Sequence, residues 1–216
     1  MTTTWSPRRR YSAVAVFSDD LERVVLIHKL KPAWQAGKAN FPGGKVEATK
    51  DYLDGFDPQY DDISHDVKCD LVYRRCAVRE VAEETGLVLD IATMKLFCTL
   101  RFKSPDSDGD AECQFFCCVG DVDKVRTMES ERVFVDESSS IQQGYHATYC
   151  TYRDAESTKT SEIPTKECCY LADDASIPTM SNLPWLTAMA RQTLRDDGSD
   201  STPPFVVYEA GAKDHA

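Results

Sequence analysis

Three glutamates, Glu80, Glu83 and Glu84, have the spacing in this sequence best suited to chemistry. Residues three and four positions apart lie on one face of an α-helix. Carboxylates held so close together repel one another unless a cation lies among them, and Mg²⁺ prefers oxygen ligands of this kind. A solvated acidic helix face has the same spacing, so the spacing alone leaves both interpretations open.

A helix is predicted around these glutamates. Asp70 is a suitable N-terminal cap, and Gly86 stands where a left-handed residue would end the helix. Apolar or small side chains share the side of the helical wheel opposite the glutamates, namely those of Val78, Val81, Ala82 and Thr85. The pattern therefore predicts a helix that packs on one side and presents three carboxylates on the other.

The segments around the glutamates carry a more specific signal. Residues 79–87 read REVAEETGL, and residues 41–47 read FPGGKVE. The first segment matches the second half of the Nudix box at every defined position, and the second resembles the Gly-Gly loop that opens the box. Because both halves are present in the right order, the chain resembles the Nudix hydrolase family.

This resemblance implies a fold, an activity and a set of site residues. The fold would be a Nudix-like α/β/α sandwich with a mixed sheet and long loop insertions. The activity would be metal-dependent hydrolysis of a diphosphate linkage in a nucleotide, by water attack at phosphorus. Mg²⁺, with Mn²⁺ as a substitute, would be bound by Glu80, Glu83, Glu84 and the backbone carbonyl of Gly44. Glu80 would also orient or deprotonate the water, and Arg79 would orient the carboxylates.

The sequence departs from the family pattern between the two halves of the box. The box has a glutamate six residues after the glycine, where this chain has Lys50, and roughly 21 additional residues precede Arg79. We therefore expect insertions at 48–69 and 137–175 within a single domain spanning 1–216. A further metal ligand is expected beyond the box, from Glu129 or Glu131, with Glu112 as a weaker choice.

Hydrophobic periodicity predicts the elements that must position the box. A hairpin turning at Asp19–Asp20 is followed by a loop at 40–44 and later by two paired strands and a terminal helix. The predicted strands are 11–17, 24–28, 95–102, 112–119, 132–135 and 204–208. The terminal helix is predicted over Leu183–Leu194, with Asn182 as its cap and Pro184 in the first turn.

Composition limits the partners. The net charge of −11 disfavours non-specific binding to DNA, RNA or an anionic membrane, and the basic run at 8–10 is interpreted as a solvated arm. There is neither an apolar stretch long enough to span a membrane nor a secretory signal. Nine cysteines without a CxxC pair favour a reducing, cytoplasmic environment. A zinc site formed by His146, Cys150, Cys168 and Cys169 is a second interpretation of some of them.

Three classes of function stay open at this point. The first is the hydrolase, whose substrate could be a nucleoside triphosphate, ADP-ribose, NADH, a dinucleoside polyphosphate or capped RNA. The second is a degenerate Nudix module that binds a nucleotide or a partner without hydrolysis. The third is an acidic structural or regulatory protein with an incidental motif. Whether the chain forms a homodimer is not determined by its sequence.

Overall fold

The computed structural model describes residues 9–52, 65–104, 109–128, 132–137, 146–148, 176–196 and 205–208. Ten strands lie within them: β1 (Arg9–Phe17), β2 (Arg23–His28), β3 (Ala39–Asn40), β4 (Gly43–Lys45), β5 (Lys95–Lys103), β6 (Asp110–Val119), β7 (Arg132–Glu137), β8 (His146–Thr148), β9 (Ser176–Pro178) and β10 (Phe205–Tyr208). The helices in the same residues are α1 (Ala48–Asp51), α2 (His65–Thr85) and α3 (Leu183–Arg195), with 3-10 turns at Ile91–Thr93 and Val122–Lys124.

Eight of these strands form one mixed sheet. Its order is β10-β5-β6-β1-β2-β3, with β4 also paired to β1 and β7 to β2. The central pair β1 and β6 is parallel, as is β10 with β5, while the other pairs are antiparallel. β8 and β9 form a separate antiparallel pair.

Alternation along β1 sends apolar side chains to both faces of the sheet. Val14 and Val16 pack with side chains of α2, whereas Ala15 and Phe17 pack with side chains of α3. Successive strand residues point to opposite faces, so a run that is buried on both sides requires a layer on each. The α/β/α sandwich with a mixed sheet is therefore confirmed.

Most of the predicted elements are present, and the ends of α2 show where local patterns suffice. The helix ends at Thr85, and Gly86 adopts the predicted left-handed conformation with φ of 73°. The predicted start at Asp70 is wrong, because α2 begins at His65. Asp70 lies inside the helix, where its carboxylate accepts a hydrogen bond from Arg74 Nε at 2.7 Å. Asp70 therefore forms an ion pair within the helix instead of capping its N-terminus.

Three other predictions are corrected. Arg9 and Arg10 do not form a solvated arm, since both lie in β1 beside β6. The loop expected at 40–44 contains the ends of two short strands, β3 and β4. Asn182 precedes α3 as predicted, but its side chain makes no capping hydrogen bond.

The insertion predicted at 48–69 begins with α1 and ends inside α2, while most of 137–175 lies outside the described residues.

No helix within the described residues has the length and apolar content needed to cross a membrane.

Cysteine reactivity provides a first test of this fold. Five of the nine cysteines are buried free thiols, namely Cys76, Cys98, Cys113, Cys117 and Cys118. Burial raises the pKa of both Cys117 and Cys118 to about 12, so almost no thiolate is present at pH 8. We expect at most the remaining four thiols to react promptly with a chromogenic disulfide in the native protein, and all nine in denaturant. A fifth fast thiol would contradict the packing described here.

Candidate functional site

The Gly-Gly segment forms β4, which lies between β1 and the second half of α2. Gly43 pairs with Ala13 and Gly44 with Ser12, both in β1. A Cβ atom on Gly43 would lie 2.2 Å from the Ser12 carbonyl oxygen, and one on Gly44 would lie 2.5 Å from the Glu80 carboxylate. Gly43 therefore excludes a larger residue, whereas a side chain at Gly44 would displace the Glu80 carboxylate, which lies directly against the Gly44 backbone.

Arg79 gathers three carboxylates around one guanidinium group. Its Nη1 donates to Glu80 Oε1 and to Glu83 Oε2, each at 2.8 Å. Its Nε and Nη2 donate to the two oxygens of Asp51 at 2.8 and 2.9 Å. These bonds to Asp51 raise the pKa of Arg79 above its ordinary value, so the cation is permanent. Two glutamates of the box thus converge on a single nitrogen of Arg79, the residue expected to orient them.

Asp51 is the part of this network that the sequence did not reveal. Its side chain is 1% exposed and also accepts a hydrogen bond from the Glu47 amide at 2.7 Å. The family pattern places the early box glutamate at Lys50, one position earlier. The signal that could have found it is an aspartate adjacent to the expected position, at the end of a helical turn that follows the Gly-Gly segment.

Glu80 and Glu83 differ in their surroundings. The side chain of Glu80 is 14% exposed, and burial raises its pKa, although Arg79 opposes the shift. The side chain of Glu83 is 38% exposed and lies 3.5 Å from Lys50 Nζ. One carboxylate is therefore a stronger base than an ordinary glutamate, while the other stays accessible at the rim of the site.

Glu84 does not share the exposed face that the helical wheel predicted for it. Its side chain is 6% exposed and forms an ion pair with Lys29 Nζ at 2.8 Å through Oε1. Its other oxygen accepts a hydrogen bond from the Gly43 amide at 2.8 Å. Burial raises the pKa of Glu84 to about 7, against the influence of Lys29 and the Gly43 amide. In this arrangement Glu84 connects the helix to β4.

The other ligand candidates lie away from this cluster or outside the described residues. Glu112 is buried, with its oxygens accepting from Tyr73 Oη at 2.9 Å and Arg101 Nε at 2.8 Å, so it links α2 to the sheet. Glu129 and Glu131 lie outside the described residues, as do Cys150, Cys168, Cys169 and the side chain of His146. The Met128 amide donates to the Glu84 carbonyl at 3.2 Å, so the chain reaches the end of α2 just before Glu129.

The oxygen atoms around Arg79 fit a hard divalent cation. Glu80 and Glu83 converge beside the Gly44 backbone, and Mg²⁺ binds carboxylate and carbonyl oxygens in preference to nitrogen or sulfur. Among the described residues, no three His, Cys, Asp or Glu side chains already surround a common point as a metal site would require. Arg79 and Lys29 are hydrogen-bonded to the box glutamates. Metal binding would therefore require some of these hydrogen bonds to break.

Comparison with known proteins agrees with this geometry. The sequence profile of the NUDIX domain matches residues 7–138, more than half of the chain, and the protein therefore belongs to the Nudix family. No curated protein matches the sequence itself.

Solved structures are similar to this chain at low sequence identity. NrtR from Shewanella oneidensis is 14% identical with a TM-score of 0.51, over 86% of this chain and 62% of that one. Its NUDIX domain in complex with ADP ribose is 15% identical with a TM-score of 0.48, over 90% of this chain and 93% of that one. A MutT NUDIX hydrolase from Burkholderia pseudomallei is 19% identical with a TM-score of 0.43, over 61% and 84%.

Proposed function

We propose that this Nudix protein is a metal-dependent hydrolase that cleaves a diphosphate linkage in a nucleoside diphosphate derivative or nucleoside triphosphate. The observation that carries the proposal is the convergence of Glu80 and Glu83 on Arg79 Nη1 beside the Gly44 backbone. A solvated acidic face does not require an arginine and two glycines packed against its carboxylates. Membership of the Nudix family supports the same reaction class.

Glu80 is the residue best suited to accept a proton from the attacking water. A carboxylate beside the bound ion could accept a proton from a water that the ion activates. Arg79 holds Glu80 Oε1, which restricts the carboxylate to one orientation. The water would attack phosphorus directly, so no serine or cysteine nucleophile is needed.

Glu80, Glu83, Glu84 and the Gly44 carbonyl would hold the divalent cation, with Mn²⁺ able to replace Mg²⁺. When bound, that ion would neutralise the phosphate oxygens, which otherwise repel the nucleophile, and would stabilise the leaving phosphate. Lys50, at the rim beside Glu83, adds local positive charge to a chain whose net charge is −11. With the ion bound, an anionic substrate would meet local positive charge on an acidic protein.

A substrate panel tests the proposal. Deoxynucleoside triphosphates, ADP-ribose, NADH, dinucleoside polyphosphates and capped RNA would each be incubated with Mg²⁺ or Mn²⁺, and the released phosphate or monophosphate measured. We expect turnover of at least one substrate, abolished by a chelator and restored by added metal. Nucleotide binding without turnover on the whole panel would instead support a degenerate module that only binds.

A further inference from the structure

An aromatic pair lies on the face of the sheet opposite the box helix. Tyr11 in β1 and Phe102 in β5 have ring centroids 6.4 Å apart, with their planes inclined by 31°. Both rings pack against the apolar side chains that contact α3, and both stay partly exposed. The pair Phe97 and Phe115 on the same face is buried, with 2% and 4% exposure. Tyr11 and Phe102 therefore form a partly open aromatic surface, whereas the other pair belongs to the core.

Small side chains lie beside the two rings, and α3 is held at the far end of the sheet. Tyr11 is in register with Cys113 and Phe102 with Ala111, two residues of β6 that share a face. Lys95, the first residue of β5, is hydrogen-bonded to the C-terminal end of α3. Phe102 lies seven residues, roughly 20 Å, further along the same strand. The end of α3 is therefore fixed well away from the aromatic pair.

The aromatic surface lies directly beside the Gly-Gly strand. Tyr11 is in register with Lys45 in β4, and the next residue, Ser12, is in register with Gly44. Residues in register in an antiparallel pair point to the same face, so the Lys45 side chain leaves the sheet on the side of the Tyr11 ring. Lys45 is exposed and makes no ion pair with a described residue. A positive charge is thus available next to both the aromatic ring and the Gly44 backbone.

We propose that Tyr11 and Phe102 bind the aromatic base of the substrate, while its phosphates lie at the site beside Gly44. This inference rests on the proposed hydrolase. A nucleotide joins an aromatic base to anionic phosphates, and this chain presents an aromatic pair, an exposed lysine and a carboxylate cluster suited to a metal in the same order. Stacking on aromatic side chains holds a base without hydrogen bonds that distinguish one base from another. The pair therefore favours nucleotides over diphosphates that lack a base, without fixing which base is bound.

Phe102→Leu should raise KM for a nucleoside triphosphate about tenfold or more, with kcat nearly unchanged. The base is remote from the reacting phosphorus, so its stacking contributes equally to the bound substrate and to the transition state. Leucine keeps an apolar contact with the sheet but offers no ring, whereas Phe102→Tyr keeps the ring and should behave as the wild type. A purely structural role for Phe102 would instead lower kcat through loss of folded protein and leave KM unchanged.

Ligands without a diphosphate linkage test the base contact separately from catalysis. Adenosine and uridine monophosphates would be compared with ribose 5-phosphate, which lacks a base, by saturation-transfer difference NMR. We expect transfer to the base protons in the wild type, and its loss in both Phe102→Leu and Tyr11→Leu. Phe205→Leu is the control, because Phe205 is 53% exposed on the edge strand β10 and has no part in the proposed surface. Its transfer should equal that of the wild type.

The outcomes distinguish the base contact from the hydrolase. Equal binding of ribose 5-phosphate and the two monophosphates by the wild type would overturn the inference and needs no variant to fold. Unchanged transfer to the base in folded Phe102→Leu and Tyr11→Leu would also overturn it, and the hydrolase would remain to be judged by turnover on the panel. Base binding that depends on Phe102 in a protein without turnover on the panel would support the base contact and reject the hydrolase.

Discussion

Replacing Glu80 by glutamine is expected to lower turnover at least about 100-fold, which corresponds to about 2.7 kcal/mol of transition-state stabilisation. The amide keeps the size of the side chain but removes both its negative charge and its capacity to accept a proton. The Glu80 carboxylate lies against Gly44 and is hydrogen-bonded to Arg79. No other described side chain is placed to substitute for it. The measurement is kcat and KM at saturating Mg²⁺ on the best substrate of the panel.

Asp70→Asn is the matched control for this substitution. Asp70 lies on the same helix, and its carboxylate pairs with Arg74 rather than with a residue of the candidate site. The same change from carboxylate to amide should therefore leave turnover close to wild type. If Glu80→Gln retained near-wild-type turnover, Glu80 would have no part in the chemistry.

Glu84→Gln is expected to lower turnover by at least a similar factor, for a different reason. Glu84 joins Lys29 to the Gly43 amide, so a neutral side chain leaves the lysine charge uncompensated and loosens β4. The position of Gly44 beside Glu80 depends on β4. Activity would therefore fall through loss of geometry as well as through loss of a carboxylate expected to bind the metal.

Arg79→Met is expected to have the largest effect on folding, reducing the free energy of unfolding by about 3–5 kcal/mol. The reason is Asp51, whose side chain is 1% exposed and would lose the guanidinium that now bonds both of its oxygens. Asp51→Asn/Arg79→Met should be less destabilised than the sum of the two single variants, because it also removes the Asp51 carboxylate that Arg79→Met leaves unpaired. Urea unfolding followed by circular dichroism measures all three.

Arg23→Met provides the comparison for this prediction. Arg23 pairs with Asp123 at 2.7 Å, but the side chains are 40% and 74% exposed. An exposed ion pair contributes about 0–1 kcal/mol to stability. Arg23→Met should therefore change the free energy of unfolding very little. Equal destabilisation by Arg23→Met and Arg79→Met would contradict the view that burial of Asp51 makes the difference.

The parts of this protein that were predictable depend on short-range patterns. The alternation in β1 requires a layer on each face of the sheet, and both layers are present. The end of α2 before Gly86 follows from the freedom of glycine to adopt positive φ. The start of α2 was missed because capping at Asp70 competes with its ion pair to Arg74, and sequence alone does not rank the two.

The helical wheel predicted one exposed face for all three box glutamates, but their exposure in the structure differs. The side chain of Glu83 is 38% exposed, whereas Glu84 is buried. The cause is β4, a short strand that packs beside the helix and is paired through β1. A wheel describes one helix, whereas exposure depends on every other element that packs around it.

Residues 79–87 and 41–47 were sufficient by themselves to determine the family and the reaction class to be tested, because the box is local in sequence. Only the tertiary structure decided how its carboxylates are paired. Arg79 binds Asp51 across 28 positions, and Lys29 binds Glu84 across 55. Such partners are brought together by the sheet and its loops, so no spacing within the box could have revealed that one glutamate is held by a lysine and two by an arginine.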